Sequence, residues 1–142
     1  MLERTLAMIK PDAVVRGAVG PIIEMMEKGG LRLVAMKMTR LSRAQAEAFY
    51  LVHKERPFYR DLCTFMSSGP IVALVLEGEN AIKRYRDLMG ATDSRKAAPG
   101  TIRHKFGTDN EKNAVHGSDA PETAITEICF HFSDAELRAL AG

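Results

Sequence analysis

The densest group of reactive side chains lies at residues 113–119, which read Asn-Ala-Val-His-Gly-Ser-Asp. His116 could act as a nucleophile, because imidazole is largely neutral near neutral pH and the following glycine leaves room for a ligand. A helix expected to begin near Asp119 would present free N–H groups and its positive dipole end to a phosphate. Ser118 could donate a hydrogen bond, and Glu127, about two helical turns further on, could orient the imidazole. The pattern indicates nucleophilic chemistry on a phosphate-bearing substrate.

The same residues also have a simpler, structural interpretation. A single histidine in a turn beside a helix cap is common, and Asp119 has the residue type of a cap in any case. For a single histidine, a structural role in a turn is therefore favoured over a nucleophilic one. Which role His116 has depends on the residues around it.

Positive charge gathers in a second group, between residues 84 and 105. The basic residues there are Arg84, Arg86, Arg95, Lys96, Arg103 and Lys105, against only Asp87 and Asp93. Such a concentration could hold a polyphosphate. Lys10, at the end of the first expected strand, could add a point charge, because ligands often gather beyond strand ends. Taken singly, each of these side chains is more simply explained as a solvated surface charge.

The common nucleotide-binding signatures are absent from the sequence. It holds no Gly-x-x-x-x-Gly-Lys-Ser/Thr loop, no Gly-x-Gly-x-x-Gly and no protein-kinase catalytic loop. His53, His104 and His131 show no metal-ligand spacing with each other or with the two cysteines. A nucleotide site in this chain must therefore be built by other means.

Length and composition place these groups in one domain, expected to span residues 1–142. Of the 142 residues, 46% are hydrophobic and 27% are charged, and the formal net charge is +2. This balance is typical of a globular protein, and the small net charge selects no partner. No apolar run approaches the ~18 residues of a membrane helix. With two cysteines read as reduced thiols and no signal peptide, we expect a cytoplasmic protein without a membrane partner.

The hydrophobic pattern predicts alternating strands and helices. Strands are expected at residues 5–10, 31–40 and 71–76, and helices at 21–28, 43–53, 59–66, 79–89 and from 121 onward. One capping box is expected at Ser42 and Gln45, and a second at Asp119 and Glu122. In the second strand, Val34 is expected to share a face with Met36 and Met38, with the methionines filling the core.

The order of these elements predicts the fold class. Strand, helix, strand, helix, strand, helix is an α/β or α+β pattern. An α+β, ferredoxin-like βαββαβ sandwich, with a four-stranded antiparallel sheet and helices on its faces, fits if one more strand lies within residues 90–119. A small doubly wound sheet has the same periodicity and stays open as an alternative.

Further motifs give the histidine a context. The signature at residues 113–119 resembles the active-site sequence of nucleoside diphosphate kinases. The resemblance covers essentially the whole chain and includes Glu-Arg-Thr at 3–5, Ile-Lys-Pro-Asp at 9–12, Arg-Pro-Phe at 56–58, Ser-Gly-Pro at 68–70, Leu-Met-Gly-Ala-Thr at 88–92 and Pro-Gly-Thr-Ile-Arg at 99–103. Several motifs in the right order outweigh the structural interpretation of His116.

The resemblance implies a ferredoxin-like fold and a ping-pong reaction. His116 would take the γ-phosphate of a nucleoside triphosphate, typically ATP, and pass it to a nucleoside diphosphate, with Mg²⁺ as cofactor. The metal would be held mainly by nucleotide phosphates and water rather than by protein ligands. The partners would be nucleoside tri- and diphosphates, with no stable nucleic-acid partner. Members of this family are tetramers or hexamers, so a homo-oligomer is expected.

By the same resemblance, individual residues receive roles in nucleotide binding. The phosphate ligands would be Lys10, Arg86, Thr92 and Arg103. Asn113 and Lys10 would contact the ribose. Phe58 would stack on the base, which explains indifference to base identity, because every base has a π-face.

The remaining roles concern the nucleophile. Tyr50 would lie beside His116, while Glu127 and Ser118 would orient it. These implied roles agree with the chemistry, because phosphoryl transfer needs an in-line nucleophile and fixed positive charge around the moving group.

Four sites, one of them a pair of adjacent residues, depart from the pattern that the family usually shows. Lys105 stands where an aspartate is common, and Val52 stands where an acidic residue is common. Asn110 replaces an apolar residue of the base slot, and Asp93-Ser94 replaces Asn-Pro in a loop used for subunit contacts. None of these departures removes the nucleophile or its phosphate ligands.

Two other classes of function stay open. A ferredoxin-like sheet with a basic loop could be a non-catalytic nucleotide- or RNA-binding module. Against this, the chain lacks the paired aromatic strand motif of such RNA readers and has only 6% aromatic residues. A regulatory phosphohistidine carrier is the other possibility; it would accept phosphate but fail to return it to free diphosphates.

Overall fold

The computed structural model describes residues 1–141, which contain four strands and eight α-helices. The strands are β1 (Leu2–Ile9), β2 (Arg32–Thr39), β3 (Ile71–Glu79) and β4 (Val115–Gly117). The helices are α1 (Pro11–Val15), α2 (Val19–Lys28), α3 (Arg43–Phe49), α4 (Tyr59–Met66), α5 (Ala81–Met89), α6 (Ile102–Phe106), α7 (Pro121–His131) and α8 (Asp134–Ala141). Two short 3₁₀ helices cover Leu51–His53 and Ser94–Lys96.

The strands form one sheet in the order β2-β3-β1-β4, and each neighbouring pair is antiparallel. β4 is the additional strand expected within residues 90–119, and it pairs with β1 at the sheet edge. This order and the helices on the sheet's faces confirm the ferredoxin-like α+β sandwich. A doubly wound sheet is excluded, because its strands would be mostly parallel.

Both faces of the sheet are covered, which explains the uninterrupted apolar run in β3. Val72, Leu74 and Leu76 pack into one core together with residues of α2 and α5. The alternating residues Ile71, Ala73 and Val75 pack into a second core with residues of α3, α4 and α7. Because side chains alternate across a strand, a strand buried on both faces is apolar at every position.

β2 does not follow the expected alternation. A bulge between Leu33 and Ala35 gives the strand one extra residue, so that Val34 and Ala35 both enter the second core. The bulge shifts the pattern beyond it by one position. Met36 and Met38 are consequently 52% and 60% exposed. The prediction that these two methionines fill the core is therefore wrong.

The first capping box is confirmed. The Ser42 hydroxyl accepts the Gln45 backbone N–H at 3.1 Å, and the Ser42 N–H donates to Oε1 of Gln45 at 2.8 Å. Helix α3 ends at Phe49, earlier than expected, and the chain continues as the 3₁₀ helix Leu51–His53.

The second capping box is wrong in its residues. Ala120 is the N-cap of α7, and Thr123 rather than Glu122 closes the turn: its Oγ1 accepts the Ala120 N–H at 3.1 Å. The Asp119 carboxylate stands one residue further out and accepts a hydrogen bond from the Thr123 hydroxyl at 2.8 Å. Asp119 thus supports the start of α7 without occupying the cap.

Several smaller differences concern element ends. Helix α1 begins at Pro11 and was not expected, and α2 begins at Val19, two residues before Pro21. Helix α8 follows α7 after two residues, and Ser133 and Glu136 form a capping box at its start. No helix within residues 1–141 is long and apolar enough to cross a membrane.

The capping box at Ser42 supports a test of stability. Ser42→Ala removes the acceptor for the Gln45 N–H, so we expect the free energy of unfolding to fall by about 1 kcal/mol in urea titration. Ser42→Asp keeps an acceptor at the cap and should retain most of that free energy. Equal stability of the wild type and Ser42→Ala would show that the cap contributes nothing.

Candidate active site

One cleft of about 390 Å³ brings together most of the residues singled out by type and spacing, and its size suits a small-molecule site. The cleft is lined by Lys10, Tyr50, His53, Phe58, Leu62, Arg86, Thr92, Arg103, Asn110, Glu111, Asn113, His116, Gly117 and Asp119. Every predicted site residue lies in this lining except Glu127 and Ser118, which contact each other behind His116.

His116 lies on the edge strand β4, opposite Met8 of β1. Its Nε2 is 2.9 Å from Oε1 of Glu127, which projects from α7. The hydroxyl of Ser118 donates to the same carboxylate oxygen at 2.8 Å. The half-buried imidazole is therefore held from behind by a carboxylate that a hydroxyl holds in turn.

The charge on Glu127 sets the tautomer of the imidazole. Burial raises the pKa of the Glu127 carboxyl, but the hydrogen bonds from His116 and Ser118 and the charge of His116 outweigh it and lower the pKa. Glu127 is thus ionised near neutral pH and accepts the proton on Nε2 of His116. With that proton on Nε2, the lone pair of the neutral ring lies on Nδ1, which is the nitrogen able to attack.

Aromatic rings fix the imidazole from its sides. The Phe49 ring centroid lies 5.5 Å from that of His116, and the Tyr50 centroid lies 6.1 Å away, both in edge-on geometry. Such contacts are favourable and restrict ring rotation. Burial raises the pKa of the Tyr50 phenol, so the hydroxyl stays protonated. Within residues 1–141 this buried hydroxyl has no hydrogen-bond partner.

Lys10 connects the end of β1 to the far side of the cleft. Its side chain is buried, and Nζ donates to Oδ1 of Asn113 at 2.8 Å. The Asn113 amide in turn donates to the carbonyl of Thr92 at 2.9 Å. Burial, followed by the charge of Arg103, lowers the pKa of the Lys10 ammonium to about 8. The cleft therefore holds a cation that a polyphosphate would stabilise.

Arg103, on α6, is a second buried cation. Its guanidinium donates to the carbonyl of Gly90 at 3.1 Å and to that of Val115 at 2.9 Å. Burial lowers its pKa, but an arginine remains charged at physiological pH. Two carbonyl anchors fix the guanidinium plane beside β4.

The expected basic cradle is only partly assembled. Of its six residues, Arg86 and Arg103 line the cleft. Arg95 instead makes an ion pair with Asp93 at 2.9 Å, and Arg84 points to the carbonyl of Gly29 at 3.5 Å. Proximity in sequence was therefore a poor guide, because helix α5 and the following loop send neighbouring cations in different directions.

Sequence reasoning missed several residues of the cleft. His53 packs against the ring of Tyr50, with centroids 6.4 Å apart, and against that of Phe58 at 5.5 Å. Its spacing of three residues from Tyr50 could have indicated this, because such residues lie on one side of a helical turn. Leu62 and Glu111 also line the cleft, and neither carries a sequence signal of that role.

The four sites that depart from the usual family pattern lie in different environments. Asn110 lines the cleft, and its carbonyl accepts a hydrogen bond from Asn113 at 3.3 Å. Val52 is 85% exposed and Lys105 is exposed, whereas Ser94 is buried. Asn110 is thus the departure placed where a nucleotide base could meet it.

Comparison of the sequence with known proteins identifies its relatives. A family model described as Nucleoside diphosphate kinase matches residues 3–137. The nucleoside diphosphate kinase of Desulfosudis oleivorans is 58% identical, with 96% of this chain and 98% of that protein covered. That of Wolinella succinogenes is 60% identical, with 96% and 99% covered.

Solved structures give the same result at the level of the fold. The nucleoside diphosphate kinase of Aquifex aeolicus superposes with a TM-score of 0.93 at 54% identity, covering 96% of this chain and 99% of that chain. The enzyme of Halobacterium salinarum, solved in complex with CDP, gives a TM-score of 0.91 at 43% identity, covering 96% and 91%. With the family model spanning nearly the whole chain, the protein belongs to the nucleoside diphosphate kinase family.

Proposed function

We propose that this chain transfers the γ-phosphoryl group of a nucleoside triphosphate to a nucleoside diphosphate through a phosphohistidine on His116. The observation that carries the proposal is the 2.9 Å contact of Nε2 with Glu127, beside a cleft that holds the cations Lys10, Arg86 and Arg103. A nucleophile with a fixed lone pair and fixed positive charge is what phosphoryl transfer requires.

The reaction has two balanced half-steps. Nδ1 of His116 attacks the γ-phosphorus, the bond to the bridging oxygen breaks, and the nucleoside diphosphate leaves with that electron pair. A second nucleoside diphosphate then attacks the phosphohistidine through a terminal β-phosphate oxygen, and the N–P bond breaks back to Nδ1. Glu127 stabilises the charge that develops on the imidazole in each step. One site thus serves the donor and the acceptor in turn.

The nucleotide is held by residues on the two sides of the cleft. Lys10, Arg86, Thr92 and Arg103 bind the phosphates. Lys10 and Asn113, which are already hydrogen-bonded at 2.8 Å, contact the ribose. The Tyr50 ring lies beside His116, with ring centroids 6.1 Å apart. Phe58, 46% exposed at the cleft, offers its ring face to the base.

The cleft suits a metal that arrives with the nucleotide. Among the described residues, no three His, Cys, Asp or Glu side chains are grouped to hold an ion. Mg²⁺ commonly uses substrate phosphates, water and one or two carboxylates, and Asp119 and Glu111 line the cleft. We propose Mg²⁺ as the cofactor, which the nucleotide phosphates and water would mainly hold, with Asp119 and Glu111 as the nearby carboxylates. When bound, the ion neutralises charge on the nucleotide phosphates.

The wider setting of the enzyme is also proposed. Residues 1–142 would act as a single domain in the cytoplasm, with free nucleotides and no stable nucleic acid as partners. The near-complete coverage of relatives supports one domain. Homo-oligomerisation to a tetramer or hexamer is expected from the resemblance, and light scattering in solution would decide between the two.

The phosphohistidine can be tested directly. With γ-labelled ATP the wild type should form an acid-labile, base-stable phosphoprotein, which any nucleoside diphosphate discharges. His116→Ala should form none, whereas His104→Ala, which alters a histidine outside the cleft lining, should label normally. Labelling of His116→Ala at the wild-type rate would reject the mechanism. Nucleotide binding without labelling would indicate a binding module, and label that diphosphates fail to discharge would indicate a phosphate carrier.

Lys10 predicts a pH dependence. Its pKa of about 8 means that the ammonium is charged below that pH and loses its proton above it. The value of kcat/KM for ATP should therefore fall from about pH 7 to about pH 9.5, with an apparent pKa near 8 for the free enzyme. Lys10→Arg should be slower but lack this alkaline fall, because arginine stays charged. A flat wild-type profile over that range would contradict the role of Lys10.

Phe58 predicts a loss of affinity without a comparable loss of chemistry. Removing the ring in Phe58→Ala should raise KM for all nucleotides by roughly 5- to 150-fold, the equivalent of one lost stacking contact. Because the ring is 46% exposed, we expect a rise in KM near the lower end of this range. Phe58→Tyr should retain the affinity. A fall in kcat with unchanged KM would place Phe58 outside the base slot.

A further inference from the structure

Asp12, in the first turn of α1, has no role in the reaction proposed above, yet its carboxylate contacts the segment that carries His116. Oδ2 of Asp12 accepts the backbone N–H of the fully buried Ala114 at 3.1 Å. The backbone N–H of Lys10 donates to the carbonyl of the same alanine at 2.8 Å. Residues 10–12 therefore hold Ala114 by its N–H and its C=O.

Ala114 sits at the centre of a strained turn. Its φ is +71°, and the carbonyl of Asn113 accepts the N–H of Val115 at 2.8 Å. A three-residue turn with positive φ at its centre is the rare and strained form of the γ-turn. Asn80 is the other non-glycine residue with positive φ between residues 1 and 141, and asparagine tolerates that region better than alanine. The surroundings must therefore hold Ala114 in place.

The turn fixes the geometry of the cleft. On one side of it, Asn113 receives the hydrogen bond from Lys10 Nζ. On the other side, the Val115 carbonyl receives the guanidinium of Arg103 at 2.9 Å, directly before His116. If Ala114 relaxed to an ordinary extended conformation, His116 would shift relative to Lys10 and Arg103.

We propose that Asp12 is a positioning residue for phosphoryl transfer: its carboxylate holds the strained turn at Ala114 and thereby fixes His116 against the cationic side of the cleft. The inference deepens the proposed function and rests on it, because the affected step is phosphorylation of His116.

A different effect of Asp12 has to be separated from this one. Its negative charge also opposes the lowering of the Lys10 pKa by burial and Arg103, and Glu111 acts in the same direction. Asp12 could thus act by charge instead of by its hydrogen bond. Asparagine keeps an acceptor oxygen without the charge, whereas alanine removes both, so the two substitutions distinguish the effects.

The test compares Asp12→Asn, Asp12→Ala, Ala114→Gly and the double variant Asp12→Ala/Ala114→Gly. The rate of His116 phosphorylation is measured by rapid quench at saturating ATP and Mg²⁺. Asp12→Ala should slow phosphorylation by about 5- to 30-fold, which is the free-energy cost of one L-residue in the left-handed region expressed as a rate. Asp12→Asn should slow it by much less. In the Ala114→Gly background, the same Asp12→Ala change should slow phosphorylation by less than about threefold, because glycine adopts positive φ freely.

Two results of this comparison of variants would overturn the proposal. In the first, Asp12→Asn and Asp12→Ala slow phosphorylation equally, the alkaline fall in kcat/KM moves to lower pH, and Ala114→Gly restores no activity. That result would assign the effect to the charge of Asp12 acting on Lys10. A loss that matches the fraction of unfolded protein, measured by thermal unfolding of each variant, would assign it to stability alone.

Amide hydrogen exchange at Ala114 reports on the turn without any turnover. Exchange should be faster in Asp12→Ala and close to wild type in Asp12→Asn, and equal exchange in all three proteins would overturn the proposal. If the wild type left His116 unlabelled, the proposed function would fail, and the exchange rates would still decide whether Asp12 holds the turn.

Discussion

The short antiparallel pairing of β4 with β1 is the constraint on which the site depends. Only three residues pair, and they set Ala7 against Gly117, Met8 against His116 and Ile9 against Val115. Because the register is fixed, His116 lies beside the end of the strand from which Lys10 follows. Gly117 suits this place, because a Cβ there would come within 2.7 Å of the Tyr85 ring. The proposed nucleophile, His116, is thus held by a central strand buried on both faces.

Burial of charge is the second physical theme. Lys10, Arg103 and Glu127 are all removed from water to a large degree, and isolated charges in such positions are costly. Each is compensated by oriented dipoles or partners: Lys10 by Asn113, Arg103 by two carbonyls, and Glu127 by Ser118 and His116. Groups fixed in this way stabilise developing charge without reorganising during the reaction. The strained turn at Ala114 belongs to the same preorganised arrangement.

Local sequence signals predicted the elements whose stability is local or whose burial is complete. The uninterrupted apolar run of β3 indicated a central strand, and Ser42 and Gln45 indicated the start of α3, because a cap depends on residues three positions apart. The prediction for β2 was wrong, because a bulge at Val34 is set by pairing with β3 rather than by the strand's own residues. The capping of α7 by Thr123 was likewise hidden, because Asp119 and Glu122 offered an equally plausible cap.

The sequence by itself determined the chemistry and the family. The residue types at 113–119, with the accompanying motifs, predicted a nucleophilic histidine, and the family resemblance implied the residues that would bind the phosphates. Only the tertiary structure decided which ring nitrogen contacts Glu127, which two members of the basic cluster enter the cleft, and that Asp12 contacts Ala114. The physical reason is that these facts depend on contacts between residues far apart in the chain. Residue type and spacing can name the participants, but the packing of β4, α6 and α7 around β1 fixes how they meet.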